Sequence, residues 1–285
     1  MHTRIIHNNR LIERAKARLP AITGATLHGR GVFTTLAVYG GKPFLWPEHW
    51  ARLVDHAARA GVDSSAFDKE TTTASLTRLI EVNKVERGRA RVMLLGRDAG
   101  SIWNAGKKKS AAGNDVIIIT GDARLASDDG LALTISPYRT NSLSPLVGVK
   151  SLNYLEHVLA WEEARARDFD EALVLNERGE IVSAAMANIF WIMNGTLYTP
   201  ALSTGALNGT TRARVIALAE DSGVPHVEGV YDLAHLGDAD EIFLTSSGLG
   251  VGHVTAFDFR RYTVSAGSIA LRLREAFRQL TFSGD

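Results

Sequence analysis

Cysteine is absent from the 285 residues, which removes thiol nucleophiles, thiolate-bound metal and disulfides together and fits a reducing compartment. An excess of one charge is missing too: 32 basic residues stand against 31 acidic ones, for a formal net charge of +1. No global field therefore draws the chain to nucleic acid or to an anionic membrane. No run approaches the roughly 18 apolar residues of a spanning helix. The basic N-terminal stretch with Arg4, Arg10, Arg14, Lys16 and Arg18 lacks the uninterrupted apolar middle of a secretory signal. What is present is a globular composition, 45% hydrophobic and 22% charged, in a chain long enough to bury a substantial core. These features predict a cytoplasmic protein with no membrane or nucleic-acid partner and no metal site.

Turn residues and periodicity divide the chain. Ile5-Ile6 and Leu11-Ile12 around Asn8-Asn9 predict a hairpin over Arg4 to Glu13, and Gly31 to Tyr39 reads as a strand. Pro47 and Gly61 bracket a helix whose apolar stripe is Trp50, Leu53, Val54 and Ala57, with His49, Arg52 and His56 on an adjacent face. A helix near Thr72 to Asn83 and strands at Arg89 to Leu95 and Asp115 to Thr120 follow. The lysine cluster Lys107, Lys108 and Lys109 reads as a solvated loop. A polar stretch from Gly121 to Gly130 separates this part from a second run of strands and helices. The expectation is an α+β fold in two domains: an N-terminal α/β domain over 1–121, a linker over 122–130 and a C-terminal domain over 131–285.

Lys150 stands after a loop, among apolar neighbours, and just before a helix predicted from Leu152 to about Arg167 with Ser151 as its cap. Such a lysine is held in place, and partial burial lowers its pKa toward a nucleophilic amine able to form an imine. A surface lysine at a helix start is the alternative.

Motifs spaced along the chain bear on that choice: Gly29-Arg30-Gly31-Val32-Phe33-Thr34-Thr35, His49-Trp50-Ala51-Arg52-Leu53, Lys150-Ser151-Leu152-Asn153-Tyr154, Ala187-Asn188-Ile189-Phe190, Leu207-Asn208-Gly209-Thr210-Thr211-Arg212 and Ala239-Asp240-Glu241-Ile242-Phe243-Leu244-Thr245. In this order they resemble the fold-type IV pyridoxal phosphate enzymes, the class IV aminotransferase family. That family includes branched-chain and D-amino acid aminotransferases and aminodeoxychorismate lyase. The resemblance runs from about Gly29 to Val254. It implies a two-domain α+β fold, pyridoxal 5′-phosphate as cofactor, a homodimer, and a small amino acid and 2-oxo acid as substrates.

The resemblance also assigns roles. Lys150 matches the lysine that forms the Schiff base and shuttles the proton between substrate and cofactor. Arg52 matches the arginine that grips the cofactor phosphate, and Tyr154 the tyrosine that bonds the cofactor's phenolic oxygen. Thr210 and Thr211 open a helix whose N-terminus suits an anion, and Ser246 and Ser247 match the turn that reaches the phosphate. Ser183 stands where the family usually has a glutamate facing the pyridine nitrogen, and would give only a neutral hydrogen bond. Glu180, at an odd offset on a strand, points to the other face unless a bulge intervenes. Arg30, Arg91 and His28 are the candidates for holding a substrate carboxylate, with Arg30 and Arg91 expected on strands.

Three activities stay open: an aminotransferase, an aminodeoxychorismate lyase expelling pyruvate to leave 4-aminobenzoate, and a non-catalytic relative that keeps the cofactor. Ser183 weakens the first, since a neutral ring is a poorer electron sink. Thr34, where aminotransferases of the family commonly carry glutamate, leans toward the second, but those lyases usually keep the glutamate that Ser183 replaces, so the two clues leave the choice open.

Overall fold

The structure is a computed structural model that describes residues 1–65, 67–98, 113–123, 129–265 and 267–283. The lysine cluster at 107–109 and most of the expected linker lie outside the described residues. The chain divides into two compact units, Met1–Arg124 with Val149–Tyr154, and Leu125–Gly148 with Leu155–Ser283.

Unit 1 contains β1 (Arg4–His7), β2 (Arg10–Glu13), α1 (Gly24–His28), β3 (Gly31–Tyr39), β4 (Lys42–Pro43), α2 (Trp46–Arg59), α3 (Lys69–Val82), β5 (Arg87–Leu95) and β6 (Asp115–Asp122). The strands form a sheet in the order β2-β1-β6-β5-β3-β4, every neighbour antiparallel. Asn8 and Asn9 take the positive φ values, 49° and 62°, that a tight hairpin turn requires. Alternation sends Val32, Leu36, Val38, Val92, Leu94, Val116 and Ile118 to one face, where they form a core with Leu53 of α2 and Leu76, Leu79 and Ile80 of α3.

Helix boundaries and faces depart from expectation at three places. On α2 the buried residues are Trp46, His49, Leu53, His56 and Ala57, so the two histidines belong to the buried stripe and Val54 does not. The α3 helix begins at Lys69 because the Asp68 side chain accepts from Thr71 N at 2.6 Å. Ser151 caps no helix: it bridges Val32, and the helix starts at Leu155 instead.

Unit 2 contains β7 (Leu131–Thr140), α4 (Leu155–Ala166), β8 (Glu171–Asn176), β9 (Ile181–Ala184), β10 (Asn188–Met193), β11 (Thr196–Pro200), α5 (Thr210–Asp221), β12 (His226–Gly229), α6 (Leu233–Gly237), β13 (Glu241–Ser246), β14 (Gly250–Phe257), β15 (Arg260–Arg261) and α7 (Ile269–Ser283). Its sheet runs β12-β11-β10-β13-β14-β7-β8-β9, with β15 on β14. The β10 run Asn188-Ile189-Phe190-Trp191-Ile192 is buried throughout, as a central strand covered on both faces should be. Phe190 stacks on Phe243 of β13 at 5.1 Å.

Candidate active site

β4 pairs only with Val38 and Tyr39, which leaves the Gly31 end of β3 an open edge. The segment around Lys150 takes it: Phe33 N donates to Lys150 O and Leu152 N donates to Gly31 O, both at 2.9 Å. The approach is close enough that a Cβ on Gly31 would stand 2.5 Å from Leu152, so glycine is needed there. A third tether is the Lys150 N–H, which donates to His56 Nδ1 of α2 at 3.1 Å. The backbone of Lys150 is thus fixed on both sides.

The lysine side chain lies against two rings. Its Nζ donates to the Tyr154 hydroxyl at 3.2 Å and stands 5.0 Å from the Phe33 ring centre and 4.8 Å from that of Tyr154. The two rings meet edge to face at 5.0 Å. Burial above all, then the nearby charges of Arg52 and Arg91, lowers the Lys150 pKa to about 7. About half of such amines are neutral at pH 7, so the group can both attack a carbonyl and carry a proton.

Thr34 points to the helix-covered side of β3 and organises the cations there. Its hydroxyl accepts from Arg52 Nη2 at 3.1 Å and donates to His49 Nδ1 at 2.7 Å. His49 is held neutral, its pKa pushed well down first by burial and then by Arg52 and Lys150. Arg52 stays charged at neutral pH even though burial lowers its pKa to about 10. On the other face of the sheet Arg91 donates from Nε to the Thr35 hydroxyl at 2.9 Å, and its guanidinium lies 4.5 Å over the Phe33 ring. Arg30 stands one residue before β3 rather than on a strand, its stem packed beside Gly96. His28 ends α1 and is exposed.

Unit 2 brings together a second set. Asn188 Nδ2 donates to Leu207 O at 2.9 Å and pins the loop that opens α5, while a Cβ on Gly209 would come within 2.2 Å of Asn188 Oδ1. The α5 helix begins at Thr210, whose hydroxyl is 3.4 Å from that of Ser247 in the turn after β13. Thr211 is buried, and Ser246 accepts from Leu249 N at 3.2 Å. Beside them Thr245 Oγ1 is buried without a hydrogen-bond partner among the described residues. First-turn amides, hydroxyls and the positive end of a helix make an anion site.

Ser183 lies buried on β9, paired with Val174. A bulge does shift the register between the Val174–Ser183 and Leu175–Ile181 pairs. It does not release Glu180, whose carboxylate accepts from Arg178 at 2.9 and 2.7 Å and from Asn176 Nδ2 at 2.6 Å.

His49, His56, Thr34 and Asn188 join the site as hydrogen-bonding partners, a role the sequence assigned to none of them. Their signal in sequence was present but ambiguous: His49 and His56 sit seven residues apart, two helical turns, on the same side of α2 as Leu53.

The model of the amino-transferase class IV family matches residues 31–257. The putative branched-chain-amino-acid aminotransferase of Methanocaldococcus jannaschii is 31% identical over 280 residues, 97% of this chain and 96% of that protein. The aminodeoxychorismate lyase of Bacillus subtilis is 28% identical over 277 residues, 95% and 92% of the two chains. The T.th. branched-chain amino acid aminotransferase, solved with pyridoxamine 5′-phosphate, superposes with a TM-score of 0.86 at 25% identity, covering 98% of this chain and 94% of that one.

Proposed function

The chain belongs to the class IV aminotransferase family, and from that membership we propose that it moves an amino group between a small amino acid and a 2-oxo acid, with Lys150 as the cofactor-bearing amine and proton carrier. The family enzymes depend on pyridoxal 5′-phosphate, and the fold is that of their fold type IV. The observation that carries the reading is the Lys150 amine, tethered at its backbone, in contact with a phenol, and with a pKa near 7.

The residues present fit the cofactor. An amine of lowered pKa suits its aldehyde, and the α5 N-terminus with Thr210, Thr211, Ser246 and Ser247 suits a phosphate. The buried, unpartnered Thr245 hydroxyl beside that turn is a further donor in want of an acceptor. When bound, the cofactor supplies an electrophilic carbon and a ring that withdraws electrons from the substrate α-carbon.

The protein's own groups do the rest. Lys150 Nζ takes the proton from the substrate α-carbon and returns it. Tyr154 fixes that amine, and its hydroxyl is a partner for the cofactor oxygen. Arg52, held by Thr34 and steadied by neutral His49, brings a permanent charge suited to the phosphate. Arg91, Arg30 and His28 offer polar groups for a substrate carboxylate. A cytoplasmic homodimer belongs to the same proposal; the exposed Leu155 and Leu159 on α4 provide apolar surface for it.

A second reading is pyruvate elimination from aminodeoxychorismate, for which Thr34 and the Bacillus subtilis relative speak. Ser183 only weakens the first reading without favouring the second, because the lyases usually keep the glutamate it replaces. A buried serine cannot hold a pyridine nitrogen protonated, and the nearby Glu180 is already engaged by Arg178. A leaving group that carries electrons away needs less from the ring than transamination does.

Mixing the holoenzyme with L- and D-amino donors separates the readings: an aminotransferase converts its absorbance to the pyridoxamine form, and a lyase releases fluorescent 4-aminobenzoate. Borohydride should fix a pyridoxyl group on Lys150, and Lys150→Ala should lower either activity by about 10²–10⁴-fold. A pyridoxyl label absent from Lys150, or full activity in Lys150→Ala, overturns the assignment.

A further inference from the structure

The chain contains two Asn-Gly dipeptides, Asn194-Gly195 and Asn208-Gly209, and the fold sets them in opposite electrostatic surroundings. Both asparagines are exposed. Asn194 and Gly195 form the tight turn between β10 and β11, with φ values of 50° and 75°, closed by the Met193–Thr196 pair. The Asn194 N–H donates to the Asp240 carboxylate at 2.9 Å, so a negative charge stands beside this turn.

Asn208-Gly209 stands instead at the positive end of α5, where Gly209 is the N-cap and brings no side chain to cap with. Asn188 holds both neighbours of Asn208. Its Nδ2 donates to Leu207 O at 2.9 Å, and its Oδ1 lies where a Cβ on Gly209 would come within 2.2 Å. Position 209 therefore has to be glycine, and a glycine leaves its own amide nitrogen unshielded toward the preceding side chain. Such a nitrogen attacks the asparagine amide carbon as its anion. The positive end of α5 stabilises that anion at Gly209, whereas the Asp240 carboxylate opposes it at Gly195.

We propose that Asn208 is a site of spontaneous deamidation, and that the modification discharges the cofactor by spoiling the anion site at α5. The Gly209 nitrogen gives its proton to solvent and bonds to Asn208 Cγ. The Cγ–Nδ2 bond breaks and ammonia leaves, which closes a cyclic imide. Water opens that ring at either carbonyl, giving aspartate or isoaspartate, and nothing is oxidised or reduced. Either product places a carboxylate just before Thr210, where it repels a phosphate and competes with it for the helix end. Isoaspartate also adds a methylene to the main chain between Leu207 and Gly209, and the close seat of Gly209 against Asn188 has no room for the shift. The modification stands whatever reaction the protein catalyses, while its effect on the cofactor rests on the reading of α5 as the phosphate site.

Holoenzyme aged at mildly alkaline pH and mapped by peptide mass spectrometry reads both dipeptides in one sample, with Asn194 as the internal reference. Asn208 should deamidate about two- to fivefold faster than Asn194, the worth of one charge at a helix end. Equal rates, or a faster Asn194, overturn the modification.

Two variants read the consequence. Asn208→Asp, which needs no ageing, should raise the Kd for pyridoxal 5′-phosphate about tenfold in a fluorescence titration. Asn208→Gln, whose longer side chain closes the ring far more slowly, should keep its cofactor through ageing that strips the wild type. Faster deamidation at Asn208 combined with a wild-type Kd in Asn208→Asp would overturn the discharge and the phosphate reading of α5, and leave the modification standing. Equal cofactor loss on ageing in wild type and Asn208→Gln would likewise overturn the discharge.

Discussion

Arg212 in unit 2 and Arg91 in unit 1 are both drawn out of water, but the chain gives a carboxylate only to the first. Arg212, 3% exposed, donates from Nη2 to the Glu228 carboxylate and, at 3.0 Å, to Pro200 O, so α5 is tied to β12 and to the end of β11. Arg91 receives a threonine hydroxyl and the face of a phenylalanine ring, with another arginine as its neighbour on the strand. A desolvated cation with neutral partners recovers only part of its hydration energy, so the fold alone gains little from keeping it. The paired arginine is architecture, and the one without a carboxylate is the one the proposed function assigns to a substrate.

Substitution should separate the two. Arg91→Met is expected to cost about 10–100-fold in kcat/KM, the worth of a charge-assisted contact to a carboxylate. Its unfolding free energy in urea should stay within about 1 kcal/mol of wild type, because the lost Thr35 bond is offset by relief from burial and from Arg89. Arg212→Leu should do the reverse, losing about 1.5–3 kcal/mol of stability. Unfolding curves of both variants at the same pH decide the matter. If Arg91→Met proves the less stable of the two, charge pairing does not distinguish structural from functional arginines here.

What could be read from sequence follows from the range of the forces involved. The hairpin around Asn8 and Asn9, the strand at Gly31–Tyr39 and the α5 start at Thr210 rest on local turn and cap chemistry, and the structure has them in those places. The mixed α+β class and the family were legible because the motifs are contiguous stretches of the chain. Ser151 misled because its cap signal is local, whereas the open edge of β3 that captures it is more than a hundred residues away. His56 was invisible as a tether for the same reason: its partner, the Lys150 amide, is 94 residues distant.

The same contrast between groups kept for structure and groups kept for chemistry extends to His56, which is a neutral acceptor held next to cations. Burial is the main cause that lowers its pKa from 6.5 to about 4, followed by Arg52; Asp55 opposes, and Arg59 and Lys150 add to the lowering. Between those two values the unfolded chain binds a proton that the folded chain refuses, so stability must fall as pH drops from about 6.5 to about 4, with no further loss from this group below that. His56→Asn keeps an acceptor for the Lys150 amide and removes the titration. It should flatten the fall in urea-unfolding free energy between pH 7 and pH 5 in cofactor-free protein, with little change at pH 7. His56→Leu flattens the same slope but orphans a buried amide, and should cost about 1–3 kcal/mol at pH 7. His49, also held neutral by burial, contributes its own slope to all three proteins, so the difference between them isolates His56. A wild-type slope retained in His56→Asn would mean that this imidazole is not what the folded chain keeps deprotonated.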